Sequence, residues 1–458
     1  MQPGRLKKRN SRPVKDGDYI LYWMQQSQRA ECNHALEYAI QQANRLNRGL
    51  LVAFGLTDSY PEANLRHYTF MLQGLQETET ALKARGIKMV LRRGHPPDVA
   101  LELGAKACLI VCDRGYLKYQ RAWRKQVAEN APCRVDQVES DVIVPVEVAS
   151  NRAEYAARTI RPKIHRLLHT YLTGLKNTAV KKSSLDLPVD GLTFRSVEEV
   201  LEELDLDRRV SPVSAYIAGG TSQAKKRLAN FIRYRLQRYE DNSNQPQTDD
   251  FSLMSPYLHF GQVSPLYVAL KIMQTTKASP AVKDAYIEEL VVRRELAMNF
   301  VSYTPDYDKY ACIPGWAKKT LSDHRGDRRE HVYSRHQLET AKTHDPYWNA
   351  AMLEMKHTGF MHNYMRMYWG KKILEWSQTP QHAYRTTLAL NNTYFLDGRD
   401  PNSYAGVAWI YGVHDRAWKE RPIFGKIRYM AASGLERKCD IDAYVQKVND
   451  RIKKKPIW

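Results

Sequence analysis

Between Asp18 and about Val148, short apolar runs alternate with longer stretches of helical spacing. Tyr19–Trp23, Leu50–Phe54, Lys88–Leu91, Ala107–Cys112 and Arg134–Val138 read as strands. Asn33–Asn47, Leu65–Arg85, Pro97–Leu103 and Lys118–Asn130 read as the helices between them. Gly86 stands directly before a strand, where a helix C-cap is expected. This alternation predicts an α/β domain over residues 18–150, with a parallel sheet wrapped by helices. No G-x-G-x-x-G follows the first strand and no G-x-x-x-x-G-K-[ST] occurs, so a conventional dinucleotide or nucleoside-triphosphate loop is not supported.

Residues 1–17 are basic and polar and read as a flexible arm. Residues 151–215 read as an interdomain linker: a helical stretch Arg152–Tyr171, a turn-rich tract Lys176–Leu192, then an acidic helix Ser196–Leu206. After Gly219-Gly220 the pattern turns helical and aromatic, which predicts an all-helical domain over residues 216–458.

The chain has 458 residues, 43% apolar, 10% aromatic and 26% charged, which excludes disordered, collagen-like and disulfide-framework classes. Its net charge of +20 favours a polyanionic partner, nucleic acid first. Six scattered cysteines suit no metal spacing, so no metal site is expected and the thiols should be buried and reduced. No apolar run of ~18 residues and no secretory signal is present. The expected location is intracellular: cytoplasmic, or nuclear in a eukaryote.

Four segments carry candidate chemistry. In Phe251–Gly261, Ser255 suits an N-cap and Pro256 the first helical position; Ser264-Pro265 repeats the device. A helix N-terminus attracts phosphate, and Ser252 and Ser255 would add hydroxyls, although plain capping explains the same pattern. In Tyr286–Leu296, Glu289 and Arg293 stand four apart on a helix that mixes charged and apolar positions, as a polar cavity lining or a salt-bridged surface helix would. Trp348, Trp369 and Trp376 lie in two helices broken near Thr358-Gly359, with Met361, Met365 and Met367 around them. They are either core or a row of oxidisable rings. His414–Pro422 and Gly425–Met430 interleave lysine and arginine with tryptophan and tyrosine, a composition that meets phosphates and stacks on bases.

Two stretches make the chain resemble the class II cyclobutane pyrimidine dimer photolyases of the photolyase–cryptochrome family. One is Glu288–Leu296 followed by Asn299-Phe300; the other runs from Gly412-Val413-His414-Asp415 through Trp418, Glu420, Arg421, Phe424, Gly425, Lys426 and Arg428 to Met430. The resemblance spans nearly the whole chain. Tyr286 and Ala431 depart from it, where the family favours phenylalanine and asparagine.

The resemblance implies a Rossmann-like parallel α/β antenna domain, a linker, and a helical domain holding FAD. Light-excited reduced FAD would donate an electron to a flipped-out dimer, the cyclobutane would split, and the electron would return. Residue by residue, Tyr239, Ser252, Leu253, Met254 and Ser255 resemble the FAD-phosphate stretch. Asp397 matches the aspartate at the isoalloxazine edge, Arg366 its salt-bridge partner, and Asn391 the asparagine facing the flavin N5. Class I members carry aspartate at the position of Arg399 and asparagine at that of Ser403, so the flavin's polar surroundings should differ here. Glu289 matches the carboxylate that contacts the dimer, a role needing a proton that a buried apolar setting would favour. Met367 should lie against the dimer or flavin; Trp369, Trp348 and Trp376 match the photoreducing chain, with Trp369 nearest the flavin. Trp409 should pack in the dimer pocket, while Arg416, Trp418, Lys426 and Arg428 fill the vacated duplex space and hold phosphates.

The implied partner is ultraviolet-damaged DNA, with no membrane, no obligate protein partner and a monomeric chain. A second antenna chromophore of deazaflavin or folate type is the family expectation for the α/β domain. Two other readings are a cryptochrome-like FAD photoreceptor without repair, disfavoured because the chain ends at Trp458 soon after the helical domain, and a basic DNA-binding scaffold without cofactor.

Overall fold

Strands form where the apolar runs place them. In the computed structural model, which describes residues 1–192, 194 and 196–453, six strands make one sheet. They are β1 (Leu6–Lys8), β2 (Tyr19–Trp23), β3 (Gly49–Leu56), β4 (Lys88–Arg93), β5 (Ala107–Asp113) and β6 (Arg134–Val138), in the order β1-β6-β5-β2-β3-β4. All pair parallel except β1, which is antiparallel to β6. Every position of β2, β3 and β5 is buried, as a sheet covered on both faces requires. The helices α1 (His34–Leu46), α2 (Leu65–Ala84), α3 (Pro96–Gly104) and α4 (Lys118–Asn130) supply that cover. Asn33 caps α1 by accepting from the N–H groups of Ala35 and Leu36, and Gly86 follows α2 at φ +75°, a conformation that favours glycine.

Residues 1–17 are not a free arm. Leu6–Lys8 pairs with β6, and Arg5, 1% exposed, donates to the carbonyls of Glu139 (3.0 Å), Val142 (3.1 Å) and Ile143 (2.6 Å). A buried guanidinium replaces its water with carbonyls, and that anchors the segment. The thiols also depart from expectation in part: all six are free, but Cys32 and Cys312 are only half-buried.

Strand order runs from β2 to β3 and β4 on one side and from β5 to β6 on the other. The chains leaving β2 and β5 therefore diverge and open a crevice at the carboxyl edge of the sheet. Asp113, which ends β5, accepts the N–H groups of Gln25, Gln26 and Ser27 at 3.0, 3.1 and 3.0 Å and so shapes the loop after β2.

The linker turns back onto this domain. Ser184 bridges it to the sheet, accepting from Lys88 N (2.8 Å) and donating to Leu50 O (2.5 Å). Ser196 caps a helix that covers Val197–Glu202, shorter than expected, while Leu204 and Leu206 still reach the same core.

Beyond Val138 no strand occurs among the described residues. Within residues 216–458, positions 454–458, including Trp458, lie outside the described residues. The helical region is organised by a hairpin: Pro346–Thr358 ends at Gly359 (φ +70°), and Asn363–Glu375 returns. Pro380–Tyr394 and Pro401–Ile410 pack against it. Buried arginines fasten it to the α/β domain: Arg29 pairs with Asp141 (2.8 Å) and reaches Gly261 O (2.9 Å), and Arg66 donates to Tyr394 O (2.6 Å). No described helix is long and apolar enough to cross a membrane.

Replacing Arg5 by alanine strands those three carbonyls, so Arg5→Ala should cost about 3 kcal/mol of stability. Denaturant midpoints measure it; an unchanged midpoint would mean the segment is not anchored.

Candidate cofactor and nucleic-acid site

The Phe251–Gly261 stretch folds differently from its capping pattern. Leu253 takes φ +55°, the left-handed region that a leucine rarely adopts, and Ser255 is the first residue of the helix Ser255–His259. Met254 holds the cap position, and no side chain caps the turn. The left-handed residue turns Ser252 toward Tyr286, whose hydroxyl donates to Ser252 Oγ at 2.9 Å. Tyr239 meets Tyr286 edge-on at 5.2 Å. Ser264 does cap, accepting the Leu266 N–H at 3.2 Å.

Glu288–Arg293 is a π-helical turn, and it changes which residues meet. Five-residue spacing brings Arg293 Nε to Glu288 Oε1 at 3.0 Å, whereas the four-apart Arg293 to Glu289 approach is 3.9 Å. Arg161 grips Glu288 with two nitrogens at 2.9 and 2.7 Å. Burial pushes Glu288 upward, yet Arg161 and Arg293 together hold it below the usual carboxylate range. Glu289 is thereby left almost free. It is not buried: its side chain is 56% exposed. The surrounding protein still pushes its carboxyl above the usual range, against Arg293. Its charge acts on Tyr239, and Arg293 acts on His414, which burial lowers to about 4. The turn thus lies between the Tyr239 stretch and the basic carboxy-terminal segment.

The hairpin brings the three tryptophans together. Trp348 and Trp369 stack at 6.4 Å and 11°, and Trp348 meets Trp376 at 5.6 Å and 65°. All three are buried, and Trp348 Nε1 donates to Trp369 O at 2.9 Å. Beside Trp369 stands Phe395 at 6.4 Å, with the Arg366 guanidinium 3.8 Å from the Phe395 ring centre. Arg366 Nη2 donates to Asp397 Oδ2 at 3.0 Å. Asn391, 5% exposed, donates to Asn392 Oδ1 at 3.0 Å, and Met367 is half-buried at the margin of the core.

Asp397 Oδ1 lies 3.0 Å from Arg366 Nη2 within their ion pair, but one buried atom here, Trp369 Nε1, has no hydrogen-bond partner. Buried polar atoms are rarely left so. The helix Pro401–Ile410 is buried except at Asn402, Gly406 and, in part, Trp409, spaced four and three apart on one face. A Cβ on Gly406 would meet nothing within 4 Å. The unpaired Trp369 Nε1 and the open helix face fit a ring-bearing cofactor. Arg399 points elsewhere: at φ +65° it donates to Asn392 O (2.7 Å) and contacts His67 of α2.

Trp409, Arg428, Trp418 and Arg416 form a connected group. The Arg428 guanidinium lies 5.6 Å from the Trp409 ring centre and 4.1 Å from that of Trp418, and Arg416 lies 5.1 Å from Trp418. Asp415 pairs with Arg428 at 3.1 Å. Trp418 is 37% exposed. Lys426 is exposed too, and only its backbone is engaged, with Thr320 Oγ1 (3.0 Å) and as the acceptor of the Trp418 N–H (2.9 Å).

A cleft opens at the crevice beyond β2 and β5, between the two domains. Gln25, Tyr60, His67, Trp123, Phe260 and Arg399 are among its walls. Sequence reasoning could not find it, because its walls come from loops that pattern does not connect. It also missed Lys371, which is wholly buried beside Trp409; the signal was a Lys371-Lys372 pair inside an otherwise apolar helix turn.

The model of the family described as DNA photolyase matches residues 20–182. A deoxyribodipyrimidine photo-lyase of Methanothermobacter thermautotrophicus is 49% identical over 94% of this chain and 95% of its own length. Among solved structures, a bacterial class III photolyase from Agrobacterium tumefaciens has a TM-score of 0.74 at 16% identity, covering 97% of this chain and 89% of that one. An archaeal photolyase from Sulfolobus tokodaii, described with two FAD molecules, has a TM-score of 0.69 at 14% identity, covering 96% and 91%. A parallel α/β domain joined to a helical one is the fold of the photolyases and cryptochromes. This chain belongs to the DNA photolyase family.

Interrupting the row at its inner ring tests its role. Trp369→Phe should abolish photoreduction of the bound flavin, while repair survives when the flavin is reduced chemically beforehand. Equal photoreduction rates in variant and parent would remove the row from electron transfer.

Proposed function

We propose that this chain is a class II photolyase that uses light and FAD to repair cyclobutane pyrimidine dimers in ultraviolet-damaged DNA. The observation that carries the reading is the buried tryptophan row, within a chain whose relatives bear the photo-lyase name over nearly their full length.

When bound, reduced and excited by light, FAD supplies the electron that opens the cyclobutane. The chain's own residues do the rest. Tyr239 and the Ser252–Ser255 turn, with Leu253 and Met254, hold the phosphates. Asp397, paired with Arg366, would accept from an N–H at the ring edge, and Asn391 would lie toward the ring's central nitrogen. Trp376, Trp348 and Trp369 carry replacement electrons inward from near the surface.

Glu289 offers the dimer a carboxyl whose pKa is raised and whose proton or hydrogen bond stabilises charge developing on a pyrimidine carbonyl. Arg161 neutralises Glu288 and so lets the neighbouring Glu289 act alone. Met367 and Trp409 pack against the extruded bases. Arg416, Trp418, Lys426 and Arg428 occupy the emptied stack and hold flanking phosphates, since the reacting bonds are unreachable within a duplex. The interdomain cleft is the place for a second, light-gathering chromophore of deazaflavin or folate type, its aromatic walls and Arg399 suiting a flat anionic ring. The chain acts as a monomer within the cell.

Blue light should restore the bases of an ultraviolet-irradiated oligonucleotide in the presence of the reduced holoprotein, and darkness should not. A flavin-bearing protein without repair would be a receptor instead. Glu289→Ala should lower repair yield per photon several-fold with FAD content intact; a parental yield would remove Glu289 from the chemistry.

A further inference from the structure

Lys371 sits in the middle of the helix Asn363–Glu375 with no exposed surface. Among the described residues it has no carboxylate within ion-pair distance. Burying an ammonium in this way costs several kcal/mol, and a methionine would fill the space without that cost. Burial pulls its pKa down to about 7, against the attraction of Asp415. A charge kept at such expense has work to do.

Its two contacts define the work. Nζ donates to Ile410 O at 2.5 Å and lies 5.0 Å from the centre of the Trp409 ring. Ile410 ends the helix Pro401–Ile410, where carbonyls lack helical partners and a cation is favoured. The turn Tyr411–Val413 takes the other carbonyls: Gly412 N bonds Trp409 O at 3.0 Å and Val413 N bonds Ala408 O at 3.2 Å. Ile410 O is left for Lys371. Gly370 allows the approach, since a Cβ there would lie 2.1 Å from Ile410 Cδ1. On the way out, cations and rings alternate: Lys371, Trp409, Arg428, Trp418, Arg416. The row runs from the sealed core to the surface that Trp418 presents.

We propose that Lys371 is a positioning residue for damage recognition, whose buried ammonium fixes the Trp409 ring and the helix end behind it in the pose that receives the extruded dimer. This rests on the reading of Trp409 as a wall of the dimer pocket. The contact with the ring is desolvated, where the attraction of a cation to tryptophan is strongest. Losing it should weaken dimer binding by roughly tenfold.

The test is a double-mutant cycle on the FAD-loaded protein. Lys371→Met and Lys371→Gln are each measured alone and with Trp409→Leu, for affinity to oligonucleotides with and without a dimer. The glutamine variant keeps a donor for Ile410 O and guards against a methionine variant that fails to fold. Expected is an affinity loss of roughly tenfold for damaged DNA, no loss for undamaged DNA, and no further loss when Trp409 is already leucine. Parental discrimination in both Lys371 variants, or an equal loss in the Trp409→Leu background, overturns the role of Lys371. Parental discrimination in Trp409→Leu alone overturns the pocket reading instead.

Discussion

The helix Asn363–Glu375 is the constraint on which the rest depends, because one rod must serve three environments at once. At its start Arg366 reaches Asp397, and Met367 packs half-buried at the margin of the core. At its centre Trp369 stacks on Trp348, and the bond from Trp348 Nε1 to Trp369 O fixes the height of one helix against the other. Two residues on, and so on the opposite side of the rod, Lys371 caps a third helix behind Trp409. A rise of 1.5 Å per residue sets the spacing of all three. A shift along this axis would uncouple cofactor site, ring row and substrate pocket together.

Electrostatics divides the labour around that rod. Paired charges are structural: Arg366 with Asp397, Arg161 with Glu288, Arg428 with Asp415. Glu289 is the loosely paired exception, 3.9 Å from Arg293 and exposed. The π-helical turn makes this sorting possible, since it hands Arg293 to Glu288 and leaves its neighbour for substrate. Such irregular turns occur often at functional sites for this kind of reason.

Much of this was legible in the chain. The strands at Tyr19–Trp23 and Ala107–Cys112 stood out because burial on both faces demands unbroken apolar runs, and Trp369 and Trp376 because seven residues are two helical turns. Three things were hidden. Leu6–Lys8 is too short and too basic to read as a strand, and only its pairing with β6 and the buried Arg5 order it. Ser255 carries a capping signature that the left-handed Leu253 cancels. The interdomain cleft and the inward turn of Arg399 depend on segments far apart in sequence, whose meeting no local pattern encodes.

The central claim is that the space bordered by Asp397, Trp369 and Asn391 holds a flavin that light can reduce. The absorption spectrum of the purified protein, taken before and after blue illumination with an external reductant, tests it most directly. The account predicts flavin bands that bleach in the light. A folded protein that carries no flavin and takes up none when FAD is supplied would contradict it.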